Sequence, residues 1–234
     1  MKLAIMQPYF FPYIGYYQLI NAVDEFVVYD NIEFTKKGWI NRNRILVNGQ
    51  DVYITLPLKG DSDFLKVRDG FLAESWFRER KTMLNRIAAT YRKALNFGVV
   101  YPLIEKCILF DENNLFLFIL NSLRLVNEYL QIPTPVLVSS TIPIDHELKS
   151  EEKVIALCNT RRATEYINPI GGVKLYQKDS FKRKGIDLYF LKSNDLIYKQ
   201  FDHAFVPWLS IIDVMMFNTR QEIRQYLTSS YTLI

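Results

Sequence analysis

At 234 residues the chain is long enough for one large domain or for a domain with an appended subdomain. Apolar residues make up 49% and aromatics 15%, ample for a dense core. The net charge of +4, from 29 basic and 25 acidic residues, is too balanced for duplex nucleic-acid binding, which needs a clustered basic face. Cys107 and Cys158 sit in apolar, helix-like surroundings and read as reduced core residues; with two histidines and no Cys-x-x-Cys, no metal site is expected. The apolar run after Lys2 ends at Gln7-Pro8, too early for a secretion signal. The longest apolar stretch, 204–217, is broken by Pro207, Ser210 and Asp213, so no stable membrane insertion is expected and the expected location is cytoplasmic.

The elements begin with a strand over Leu3–Met6, a short helix over Gly15–Ala22 and a second strand from Glu25 to Tyr29, which ends at Asp30. This predicts a small parallel βαβ unit. A hairpin follows, with strands over 43–47 and 51–56 joined by Asn48-Gly49, whose residues accept the positive φ angles of a type I′ turn. Apolar residues at helical spacing predict two long helices, about 75–94 and 113–130, the second stopped by Pro133. Strands are expected at 135–138, 165–168 and 187–191. A helix is expected from a Ser150 cap to about Arg162, and helical segments at 207–217 and 221–227. Thr219-x-x-Glu222 forms a capping box for the last. The fold class expected is α/β: a mixed sheet with a Rossmann-like N-terminal βαβ unit and a helical insertion at about 75–132, in a single unit spanning 1–234.

Four segments carry more polar and turn-forming residues than folding requires. After the first strand, Gln7-Pro8-Tyr9-Phe10-Phe11-Pro12-Tyr13-Ile14-Gly15 is a stiff aromatic turn at the place where open α/β sheets bind ligands. Gln7, Tyr9, Tyr13 and Gly15 are its candidate contacts, although the aromatics would serve equally to cover the top of the sheet. In the second segment, 36–44, Lys36, Asn41, Arg42 and Arg44 surround Trp39; arginine forks suit a phosphate or carboxylate, and Trp39 suits a ring or sugar face. The third, 168–179, places Gly171, Gly172 and Tyr176 just past a strand end. The fourth holds Tyr198, Gln200, His203, Ser210 and Asp213, the last two on one face of an apolar helix. His146 and His203 are the natural general bases, and Asp30 and Asp213 the candidate catalytic carboxylates.

These segments together resemble the WbqC-like family. The resemblance rests on 7–20 with Asp24 and Asp30, on Trp39-Ile-Asn-Arg-Asn-Arg44, on Tyr166-Ile-Asn-Pro-Ile-Gly-Gly172 through Tyr176, and on Phe205-Val-Pro-Trp-Leu-Ser-Ile-Ile-Asp213. It covers Met1 to about Asn218, with two departures: Lys81 where the family favours a His, and Thr219-Arg220 in place of an Asn-Gly-like ending. The resemblance implies a role in bacterial surface-polysaccharide (O-antigen) biosynthesis, as a transferase of acyl or aminoacyl (glycine) groups acting on a nucleotide-linked sugar. It supplies no catalytic residues. A looser similarity links the first loop to the nucleotidyltransferase and aminoacyl-synthetase superfamily, but Tyr13-Ile14-Gly15-Tyr16 stands in place of its His-x-Gly-His.

Read together, Lys36, Arg42 and Arg44 are expected to hold a diphosphate, Tyr9, Tyr13 and Trp39 to cover a base or sugar, and Asp30, Asp213 or His203 to act on the accepting group. The rival reading is a non-catalytic ligand- or partner-binding protein of the same pathway. Convergence of Asp30, Asp213 and the basic loop on one cleft distinguishes the two. The sequence identifies no cofactor and no oligomeric state, and the expected partner is a small molecule with no nucleic acid.

Overall fold

The computed structural model describes residues 1–60 and 65–234. Its first strand, β1 (Lys2–Met6), lies inside a six-stranded sheet. Helix α1 (Ile14–Asn21) returns the chain to β2 (Glu25–Val28), which pairs in parallel with β1 from Leu3↔Glu25 to Met6↔Val28, as the βαβ pattern predicts. The chain then leaves the sheet for the hairpin β3 (Arg42–Val47) and β4 (Gln50–Thr55), whose turn residues Asn48 and Gly49 have φ of 50° and 76°. Three helices follow: α2 (Trp76–Tyr91), α3 (Phe97–Ile108) and α4 (Leu115–Leu130). Of these, α3 was not legible in the pattern, because Pro102 stands inside it, where the missing N–H ordinarily ends a helix.

Beyond the helices the chain returns to the sheet. Strand β5 (Val136–Val138) pairs in parallel with β2, α5 (Ser150–Thr160) crosses to β6 (Glu165–Pro169), and β6 pairs with the other side of β1. Short helix α6 (Lys178–Lys182) leads to β7 (Asp187–Ser193), parallel to β6. Helices α7 (Ile211–Phe217) and α8 (Arg220–Ser229) precede an antiparallel edge strand, β8 (Tyr231–Leu233). The capping box at Thr219 and Glu222 forms as the sequence predicts. Ser150 differs: it is the first helical residue of α5, with φ of 46°, and its side chain makes no capping hydrogen bond. No helix among the described residues is long and apolar enough to cross a membrane.

The strand order is β5-β2-β1-β6-β7-β8, so the sheet grows outward in both directions from β1 and β6. In doubly wound sheets such a reversal opens a crevice at the strands' carboxyl ends. Alternate residues of β1 face different cores. Leu3 and Ile5 pack with α5 and α6 (Val154, Leu157, Phe181), and Ala4 packs with α1 and the inserted helices (Tyr17, Ile104, Phe118). Both faces of the sheet are therefore covered, as the apolar strands require.

The aromatic turn after β1 is gripped from two sides. Asn43 of β3, buried, donates from Nδ2 to the carbonyls of Phe10 (3.1 Å) and Phe11 (2.9 Å), and its Oδ1 accepts from the Arg44 N–H. Ser210, the cap residue of α7, donates from Oγ to the Phe11 carbonyl at 2.8 Å. Phe11 needs this grip, since its φ of 41° is a left-handed conformation that costs a bulky residue roughly 1–3 kcal/mol. Replacing Asn43 with Ala strips the Phe10 carbonyl of its side-chain donor in a buried place. We expect a loss of about 2–4 kcal/mol in urea unfolding. A loss under about 0.5 kcal/mol would show that the turn holds its shape without the clamp.

Candidate functional site

The turn that Asn43 and Ser210 hold forms one wall of a groove on the carboxyl side of the sheet. At the switch point between β1 and β6 lies a cavity of about 330 Å³ lined by Gln7, Tyr9, Tyr29, Asn168, Gly171, Gly172 and Tyr176, among others. Tyr9 also lines a second cavity, of about 150 Å³, with Tyr13, Trp39, Asn43, Arg44 and Trp208. Tyr13 and Trp208 in turn line a third, of about 260 Å³, with Ser193, Asp195, Tyr198 and Phe205. Tyr9 borders the first two cavities and Tyr13 and Trp208 the last two, so the three are neighbours with aromatic rings between them. Such a surface suits a planar or sugar-like ligand, fixed by a few polar groups.

Each wall has a local cause. Asn168, at the end of β6, accepts from Tyr166 Oη at 3.0 Å and donates to the Pro169 carbonyl. Its amide lies so close to Gly172 that an added Cβ would sit 1.8 Å from Nδ2, so only glycine fits there. At Gly171 a Cβ would meet nothing within 4 Å, leaving the backbone approachable from the cavity. Gly15 is fixed by crowding: a Cβ would fall 2.3 Å from the Tyr13 ring and 2.4 Å from Ser193 Oγ. Trp39 stacks on Tyr53, and the Arg44 guanidinium lies 5.5 Å from the Trp39 ring centre. Arg44 also pairs with Asp51 at 2.8 Å and donates to the Trp208 carbonyl at 3.3 Å, while its Nε is buried without an acceptor among the described residues. Trp208 itself has φ of 60°, a second strained aromatic beside the groove.

Burial pushes the Tyr9 phenol up to about 12 and raises those of Tyr13, Tyr29, Tyr176 and Tyr198 as well. At neutral pH these hydroxyls are neutral hydrogen-bonding groups rather than bases.

The remaining sequence candidates lie elsewhere. Lys36, Asn41 and Arg42 line a separate cavity at the foot of the hairpin. Arg42 turns its donors to the Gly38 and Lys37 carbonyls and rests over the Tyr53 ring, and Asn41 donates to the Leu56 carbonyl. His203 sits against the hairpin turn at Gly49, lining a third place with Asn48 and Phe201. Asp30, buried, accepts from Ser139 Oγ (2.7 Å) and the Ser140 N–H (2.9 Å), fastening the end of β2 to the turn after β5. Asp213, fully buried in α7, accepts from Tyr198 Oη (2.6 Å), Gln200 Nε2 (2.7 Å) and Tyr91 Oη (2.9 Å). Asp30 and Asp213 share no hydrogen-bond partner, and neither is among the groove's lining residues. Ser210 and Gln200 are likewise internal, whereas Tyr198 reaches the groove with its ring. Sequence reasoning passed over Asn43, Asn168 and Trp208, although all three stood in the motifs, and had no signal for Tyr29. Among the described residues no three His, Cys, Asp or Glu side chains gather as metal ligands would.

Fold and groove together define a doubly wound α/β protein with aromatic-lined cavities at its topological switch point. The chain belongs to the WbqC-like protein family, whose model matches residues 7–225. It is 30% identical over 232 residues to the uncharacterized protein Rv1507c of Mycobacterium tuberculosis, covering 97% of each chain. No solved structure matches it significantly.

The Asp213 cluster carries a pH signature. Burial raises the Asp213 carboxyl above its ordinary range, and the three hydrogen bonds only partly counter it. A raised folded-state value means that protonation favours the folded form. This contribution is full below the ordinary carboxylate range and is lost as pH rises through the raised value. Asp213→Asn removes that titration. Urea unfolding between pH 3.5 and 8, a scan range of about four to five units chosen to bracket the carboxylate range, should show the wild-type advantage over D213N shrinking as pH rises. An advantage that is constant or grows with pH would contradict the assignment.

Proposed function

We propose that the protein binds a nucleotide-linked sugar in the switch-point groove and transfers an acyl or aminoacyl group to it in the assembly of bacterial surface polysaccharide. The observation that supports this most is the groove itself: neighbouring cavities that share aromatic rings, the first at the place where doubly wound sheets hold nucleotides and the last bordered by the exposed Trp208. Membership of the WbqC-like family agrees with it. In this reading Tyr9, Trp39 and Tyr13 cover the base and the sugar. The approachable backbone at Gly171 lets the ligand lie close to β6. Arg44, which lines the second cavity beside Trp39, is placed to meet an acceptor oxygen of the ligand. The groove's neutral phenols orient rather than ionise the accepting group, so positioning supplies the main catalytic effect.

One observation favours a second reading. The carboxylates with the best claim to general-base chemistry, Asp30 and Asp213, are engaged internally and do not meet in the groove. A non-catalytic member of the same pathway would keep the groove and lack a base.

A thermal-shift panel of nucleoside diphosphate sugars tests the binding. At a hundredfold excess over Kd a ligand adds about 2.7 kcal/mol of apparent stability, a readable shift. Trp39→Ala and Tyr9→Ala should each abolish it. No shift with any nucleotide sugar would remove the proposal. Incubating the bound sugar with acyl and aminoacyl donors and measuring its mass separates the two readings: a gain in mass supports transfer, an unchanged mass the binding protein.

A further inference from the structure

Outside the groove proper, the carboxyl end of β2 collects an uncommon set of cations. The segment 66–68 runs along the chain that leaves β2: the backbone N–H of Val67 donates to the Ile32 carbonyl at 2.8 Å and that of Arg68 to the Asp30 carbonyl at 2.9 Å, Lys66 lies opposite Glu33 in an antiparallel backbone bridge, and the Arg68 guanidinium is 3.7 Å from the Asp69 carboxylate. From the other side α5 brings Lys153. Its Nζ donates to the His146 carbonyl at 3.1 Å and lies 5.9 Å from the centre of the Tyr29 ring, the same ring that lines the switch-point cavity. His146 is fixed in turn by Asn31, 2.9 Å from its Nδ1.

Lys153 is badly placed for a structural lysine. It is 8% exposed, and it sits at the end of the first turn of α5, where the helix dipole opposes a cation. Among the described residues no carboxylate lies within 4.0 Å of it. Burial lowers its pKa first and Lys66 and Arg68 lower it further; Asp30 and Glu147 only partly offset this. Asp30 is already held by Ser139 and Ser140. A buried ammonium whose one hydrogen-bond acceptor among the described residues is the His146 carbonyl is the arrangement that an anion completes.

We propose that Lys153, Lys66 and Arg68 form an anion subsite beside the switch-point cavity, which takes a phosphate or pyrophosphate group. This rests on the groove being the ligand site and moves the charged end of the ligand from the hairpin loop to the β2–α5 side. The base and sugar then extend past Tyr9 toward Trp39.

Calorimetric titration of the full chain with inorganic pyrophosphate, and separately with nucleoside diphosphate sugars, tests it. Losing one charge-assisted hydrogen bond weakens binding by about ten- to a hundredfold. Lys153→Met and Arg68→Ala should each weaken both ligands by that factor, while Lys178→Ala, exposed on α6, leaves them unchanged. K153M should also keep or raise the Tm of the unliganded protein, since it removes a charge from a buried position. Pyrophosphate binding that is absent, or equal in all variants, overturns the subsite, as does a K153M protein that melts lower and binds unchanged. If nucleotide sugars bind while pyrophosphate does not, the subsite falls and the groove reading stands; the reverse result keeps the subsite and removes the nucleotide sugar.

Discussion

The geometry of the site depends on two side chains holding two carbonyls. Without Asn43 and Ser210 on Phe10 and Phe11, the turn after β1 would be a strained aromatic loop with unmet acceptors in a buried place. With them, the hairpin, the first βα turn and α7 become one rigid corner. The backbone N–H of Ser210 also donates to the Arg44 carbonyl and that of Ile211 to the Pro12 carbonyl, closing the same junction. Tyr9, Tyr13, Trp39 and Trp208 can therefore present their rings to solvent from fixed backbones, which is what a preorganised ligand wall requires.

A second polar junction lies beneath the first. Asp213 gathers Tyr91 from α2, Tyr198 from the loop after β7 and Gln200, while Tyr91 Oη also accepts from the Leu46 N–H of β3. The inserted helices are thereby tied to the hairpin and to the groove's far wall through one carboxylate. Such a network stabilises only when every member is satisfied, and here each carboxylate oxygen has a donor. Gln18 repeats the pattern at the back of the sheet, with its amide on the Tyr226 and Ser230 carbonyls and its oxygen accepting from Ser193.

What the sequence made legible was local. The Asn48-Gly49 turn, the N-terminal βαβ unit and the Thr219 box each depend on residues a few positions apart, and each forms as read. The aromatic and glycine contacts of the groove were legible for the same reason, since strand-end turns announce themselves. The roles of Asp30 and Asp213 were not. Ser139 is 109 residues from Asp30, and although Tyr198 and Gln200 stand 15 and 13 residues before Asp213, its third partner Tyr91 is 122 away, so the sequence does not reveal that these carboxylates are engaged internally. The basic loop misled in the same way: Arg42 looks free in sequence, yet it closes on carbonyls four and five residues back. Lys153 gave no signal, because its environment comes from two other segments of the chain.

The pairing of β1 with β6 sets the timing of assembly on the ribosome. Lys2 pairs with Glu165, and the Met1 amino group reaches Thr164, 163 residues away. At roughly 5–20 residues per second, about ten to thirty seconds separate the emergence of the two strands. Through that interval one edge of β1 has no mate, and the inserted helices must shelter it or leave it open to a neighbouring nascent chain. The strand that carries the first wall of the groove is thus made well before the strand that secures its second edge.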